Sequence, residues 1–279
     1  MANITDVSMV LNRFTGGNFG QPQFESFWKD GRVSGAAAAA PIAGQWTSLW
    51  QYEGQPGAGA APTTVAVPTN LTAGNLGDQR DPGGVRELWL TAANITALAA
   101  GYYMIYDRLL HIGNLSGTVV GPQTVGGVLT RNTSGAGNQI WAEVYTQIGA
   151  NTVAITASYT NQDGTAGQRT QQVVIGNTGF REAQRMIQMP LAPGDTGVQS
   201  VQSAALTATS GTAGAFGITL LEPLIGFCLC TPGAGVVRDL IAQRPGPVKI
   251  LAGACLALMY CANTTTVTQV QGGLHFIEV

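Results

Sequence analysis

GITLLEPLIGFCLC (Gly217–Cys230) and VKILAGACLALMYCANTTTVTQVQGGLHFIEV (Val248–Val279) decide the fold. Two long apolar runs, all four cysteines and the final strand-like segment lie in this third of the chain. Runs this apolar, bounded by Pro and Gly and rich in branched and aromatic residues, suit strands buried on both faces of a packed core. The remainder of the chain reads as material that closes over them.

Working back toward the N-terminus, strand signals recur at short spacing from Arg86 onward. RELWLTAANITAL, GYYMIYDRLLHIG and NQIWAEVYTQIG each read as a strand, the last alternating Ile140, Ala142 and Val144 against Trp141, Glu143 and Tyr145. In TVAITASYTNQDGTAGQRTQQVVIG, Val153, Ile155, Ala157 and Tyr159 alternate. Asp163-Gly164 then marks a turn before the arm Gln172–Ile175. VQSVQSAALTAT is a polar strand, and VVRDLIAQ (Val236–Gln243) is the one short helix expected here, ended by Pro245 and Pro247. Many short strands with Gly, Pro and Asn turns predict a mainly β protein, an antiparallel β-sandwich of jelly-roll type over residues 85–279.

Residues 1–84 read differently. Ile4, Val7, Leu11 and Phe14 share one face of a short N-terminal helix, with Asn3 as N-cap and Gly16-Gly17 as its stop. That helix docks on its own domain or on a neighbouring subunit. From Asn18 to Gly84, Gly/Ala-rich pieces alternate with aromatic islands: Phe24, Phe27 and Trp28, then Trp46, Trp50 and Tyr52. Ala36–Ala40 is bracketed by Gly35 and Pro41, leaving room for little more than one helical turn. Disordered linkers are poor in Trp and Phe, so this segment is expected to be an ordered, extended arm anchored by its aromatics. The helix face and Trp28, Trp46 and Trp50 are the candidate interface residues.

Only 10% of residues are charged, against roughly 25% in an average protein, and 38 are glycine. A surface polar without charge repels itself weakly and suits lying against other protein. The formal net charge of -2 provides no field for nucleic acid. No basic, then apolar, leader opens the chain, and no apolar run reaches membrane-spanning length, so neither export nor a membrane is expected.

Catalytic and metal signals are weak. Cys228 and Cys230 share a strand face, as do Cys255 and Cys261 if no bulge intervenes. Buried free thiols and an inter-strand disulfide both fit, whereas C-x-C within a strand splays the sulfurs poorly for zinc. His111 and His275 are the only histidines and adjoin no nucleophile motif. Asp78 and Asp81 flank a loop in which Asp beside Gly or Pro is ordinary turn chemistry. Asn94-Ile-Thr96 and Asn114-Leu-Ser116 match the glycosylation sequon by chance in a Thr-rich chain. Asp107 and Arg108, inside an aromatic strand, are expected to form a structural ion pair. No catalytic residue, cofactor or metal site is assigned.

YMIYDRLLHIGNLSGTVVGPQTVGGVLTR (103–131), then GNQIWAEVYTQIG (137–149) and the ending ALMYCANTTTVTQVQGGLHFIEV (257–279), resemble tailed-bacteriophage virion proteins. The likeness covers roughly residues 100–279, rests on segment order, and leaves Met1 to about Gly84 outside. It implies a non-enzymatic structural protein, of the capsid decoration (cement) kind, made in the host cytoplasm and carried on the virion. The partners it implies are further copies of itself, a trimer foremost, and the major capsid protein. A major shell or tail subunit is the first alternative. The second is a carbohydrate- or receptor-binding jelly roll using Tyr102, Tyr103 and Tyr106.

Overall fold

The structure is a computed structural model and describes residues 22–32, 40–77, 79, 81, 86–176, 180–243 and 246–279. In chain order the strands are β1 (Gln23–Asp30), β2 (Trp46–Ser48), β3 (Glu53–Gln55), β4 (Leu88–Ala97), β5 (Gly101–Ser116) and β6 (Gly121–Thr124). Next come β7 (Gln139–Thr146), β8 (Val153–Asn161), β9 (Gln168–Arg169), β10 (Val173–Ile175), β11 (Arg185–Met189) and β12 (Val198–Leu206). The chain ends with β13 (Ala215–Leu229), β14 (Gly235–Asp239), β15 (Val248–Ile250), β16 (Leu256–Ala262) and β17 (Gln269–Glu278). No helix occurs among the described residues. The N-terminal helix predicted from Ile4, Val7, Leu11 and Phe14 lies outside them.

Every strand pairing is antiparallel. The mainly β, sheet-on-sheet class therefore agrees with the sequence pattern, but the arrangement is more elaborate than two jelly-roll sheets. Strands β11-β2-β16-β5-β13-β7 close into a barrel. One flanking sheet has the order β14-β4-β17-β1-β3, with β15 also on β4. The other has the order β10-β8-β12-β6, with β9 on β8.

The apolar runs explain this layering. Along β16, Leu256, Leu258 and Tyr260 pack outward against Leu90, Ile95, Leu274 and Phe276 of the first sheet, while Ala257 and Met259 face the barrel interior. This is the two-residue period of a strand buried on both faces. The alternation read in β7 divides likewise. Ile140, Ala142 and Val144 pack with Ile155, Ala157 and Val201 of the second sheet, and Trp141 and Tyr145 turn inward. The 16-residue β5 and 15-residue β13 are long enough to contribute to all three clusters.

The segment before Gly84 is threaded into these sheets. β1 pairs with β17 from Gln23↔Phe276 to Asp30↔Gln269, and β2 bridges β11 and β16. Val236–Gln243 is not the expected helix. Gly235–Asp239 is β14, an edge strand on β4, where consecutive β-branched Val236 and Val237 fit the pleat. Only one turn follows, in which the Asp239 carboxylate accepts from the Ile241 and Ala242 N–H groups. The Asp163-Gly164 turn is present, with Gly164 at φ +79 and Asn161 Oδ1 accepting from the N–H groups of Asp163 and Thr165.

Candidate functional site

The densest polar cluster lies inside the barrel and centres on Arg108. Its Nη2 donates to Glu143 Oε2 at 2.5 Å, Thr219 Oγ1 at 3.1 Å and the Tyr145 hydroxyl. Its Nη1 donates to the Tyr106 hydroxyl at 3.2 Å and its Nε to His111 Nδ1 at 2.8 Å. The Trp50 ring lies 4.5 Å from the guanidinium carbon. The hydroxyls of Thr219 and Tyr145 also donate to Glu143 Oε2, at 2.6 and 3.0 Å. Strands β5, β7 and β13 each supply part of this cluster, because odd-numbered Trp141, Glu143 and Tyr145 share the inward face of β7.

Burial opposes the Arg108 charge, but the Glu143 carboxylate together with the Tyr145 and Tyr106 hydroxyls outweighs it and holds the guanidinium above its usual range. Burial, and then the Arg108 charge, push the His111 imidazole down to about 2. Burial lifts the Tyr106 phenol to about 12. The Arg108 side chain is fully buried and Glu143 is 1% exposed. Shut off from solvent, these side chains clamp β5, β7 and β13 together.

A second clamp uses the adjacent residue. Asp107 accepts from Arg131 Nε at 3.0 Å and Nη2 at 2.9 Å, and from the Cys255 N–H at 2.9 Å. Arg131 also donates to the carbonyls of Pro68 and Arg108. The predicted Asp107–Arg108 pair is therefore corrected. Successive side chains on a strand leave opposite faces, so each residue finds a different partner. Nothing local in the sequence pairs Arg131 or Glu143 with them; the one available signal is the scarcity of charge itself.

Of the candidate interface tryptophans, Trp28 is 38% exposed on the outer face of the first sheet. Trp46 is half-buried, edge-on to Tyr102 and Trp141. Trp50 is 1% exposed and belongs to the barrel core, its Nε1 donating to the Ala60 carbonyl, so it is no surface contact of this chain. Tyr103 and Tyr106 are fully buried and only Tyr102 is exposed, which dissolves the proposed tyrosine cluster.

All four cysteines are free: Cys228 and Cys230 exposed, Cys261 half-buried, Cys255 buried. The Sγ atoms of Cys228 and Cys230 are 3.9 Å apart. β5 runs between the two cysteine-bearing strands, with Tyr102 paired to both Cys228 and Cys261. Two strand spacings, about 9–10 Å, exceed the reach of a disulfide. His275 is exposed beside the Phe24 ring, 4.8 Å between centroids. Asp81 accepts from the Gly253 N–H, and Asp78 lies outside the described residues. No group of three or more metal-ligating side chains forms among the described residues.

No protein-family model and no curated protein matches this chain. Among solved structures, infectious bursal virus-derived T=1 particles are similar at 10% identity with a TM-score of 0.23, over 93% of this chain and 78% of the other. The VP2 subviral particle of infectious bursal disease virus is similar at 9% identity with a TM-score of 0.20, over 95% and 83%. Likeness at this level carries no functional argument.

Proposed function

We propose that this chain is a non-enzymatic structural subunit of a virus particle, of the capsid decoration type. It would assemble with copies of itself and bind the major capsid protein. The observation that carries this reading is the distribution of charge. In a chain with few ionisable groups, Lys29, Asp107, Arg108, Arg131, Glu143 and Arg185 are all buried. Meanwhile Phe24, Leu71, Val120, Val128 and Val237 are each more than half exposed. The pairs Arg108–Glu143 and Arg131–Asp107 clamp the interior. Outside them exposed apolar side chains stand among scattered charges such as Arg86, Asp163 and Lys249, a surface suited to lateral contact with protein. The resemblance of residues 100–279 to phage virion proteins points the same way.

Light scattering coupled to gel filtration tests this. A trimer of 28.8 kDa chains has a mass three times that value, and binding of that particle to undecorated capsids supports decoration. Shells or tubes formed by the chain alone would replace it with a shell or tail subunit. A stable monomer that ignores capsids would remove both.

A further inference from the structure

We propose that the outer face of the sheet β14-β4-β17-β1-β3 carries a binding groove for a neutral carbohydrate. This does not depend on the virion reading. The groove, about 410 Å³, is lined by Ser26, Phe27, Trp28, Gln55, Asn94, Thr96, Gln271 and Gly272. The strand registers place these residues in order. Gln55, Trp28, Gln271 and Thr96 form one row across β3, β1, β17 and β4. The next outward row is Ser26, Gly273 and Asn94.

Gly273 makes room for the Phe24 ring beside Asn94, since a Cβ there would meet the ring at 2.6 Å and the Asn94 amide nitrogen at 3.1 Å. Four strands at about 4.8 Å spacing make the row some 14 Å long, a span suited to a short oligosaccharide.

The lining chemistry selects the ligand. No lining residue is charged, which disfavours phosphates, carboxylates and cations. Three amides and two hydroxyls each both donate and accept, as sugar hydroxyls do. None of these five side chains makes a hydrogen bond to another described residue. Beside them stands one exposed indole, an apolar surface for the C–H face of a pyranose ring. A few placed polar groups around an aromatic wall is the usual composition of a small-molecule site. A peptide strand is a poorer fit, because at the row Trp28, Gln271 and Thr96 each strand is already paired on both sides and offers no free backbone edge there.

The test is a neutral-glycan array with the intact protein, followed by calorimetry with the best oligosaccharide. Trp28→Ala is expected to weaken binding about tenfold or more, and Asn94→Ala and Gln271→Ala several-fold each. High salt should leave the affinity unchanged. Gln271→Ala is exposed on the sheet and guards against a fold defect in Trp28→Ala, with circular dichroism confirming both. Three results would overturn the proposal: no neutral glycan bound, binding indifferent to all three substitutions, or Trp28→Ala changing only the oligomeric mass. The last would show that this face is covered by a second copy of the chain.

Discussion

Arg108 and Glu143 face each other across the barrel interior, 2.5 Å from Nη2 to Oε2, with neither side chain open to solvent. Removing one partner strands a buried charge, a loss of about 3–5 kcal/mol, while replacing both by apolar side chains is often far milder. Glu143→Leu or Arg108→Met alone should therefore lower the denaturation midpoint sharply. The double variant should recover much of the loss. Urea titration followed by tryptophan fluorescence measures all three, and additive single effects would contradict the coupling.

Arg131 is the hub of the second clamp. Its guanidinium binds Asp107 through two nitrogens and also reaches the carbonyls of Pro68 and Arg108, tying two loops to β5. Arg131→Lys keeps the charge but loses the fork, and should be destabilised by about 1–3 kcal/mol. Hydrogen exchange should increase around Pro68 more than in β8, which makes no contact with the clamp.

Much of the local structure was legible because strand alternation is written residue by residue. Ile140 through Tyr145 declared two buried faces, and Asp163-Gly164 declared its turn. Long-range pairing was not legible. Gln23 lies opposite Phe276, and Arg108 finds Thr219 across 111 residues, with no local signal for either. Val236–Gln243 failed as a helix because β4 needed an edge partner, a demand set elsewhere in the chain. The groove was half visible. Trp28 stands out as an aromatic of the arm and Asn94 and Thr96 form a sequon, but only the sheet order brings Gln55 and Gln271 beside them.

His111 gives the protein an acid sensitivity. The folded imidazole is held at about 2, below the ordinary 6.5, by burial and then by Arg108. Below pH 6.5 the unfolded chain takes up a proton that the native state refuses. This contribution is thus complete above pH 6.5 and is lost as pH falls, by about 1.4 kcal/mol per unit. His111→Asn offers Arg108 an acceptor that does not titrate. The stability difference between wild type and this variant should shift toward the variant from pH 6.5 to 4.5; a constant difference would refute the assignment.

The cysteines should separate by reactivity. Cys228 and Cys230 are exposed, although the contact with Cys230 raises the Cys228 thiol somewhat. Cys255 is buried, with burial pushing its thiol up to about 12, and Cys261 is half-buried and also raised. Thiolate is the reactive form, so an alkylating reagent should label Cys228 and Cys230 first and Cys255 only on unfolding. Peptide mapping of oxidised protein should find no bridge from Cys228 to Cys261, since β5 lies between their strands.

Gly217 opens the apolar run that organises the fold, and β5 approaches it too closely for any side chain. A Cβ at this position would lie 1.6 Å from the Ile112 carbonyl oxygen and 2.8 Å from the Gly113 Cα. The obstruction is backbone, and the β13–β5 register is already irregular between Phe216 and Ile218. Neither strand yields easily, because β13 is also paired with β7 through Gly217↔Glu143. Forcing them apart would disturb the strand that carries the Arg108 clamp. Gly217→Ala should therefore cost at least the roughly 1–3 kcal/mol of an overpacked core, far more than Gly57→Ala, where an added Cβ meets nothing within 4 Å. Equal midpoints for the two variants in urea would show that the close approach of β13 to β5 is not a constraint on the fold.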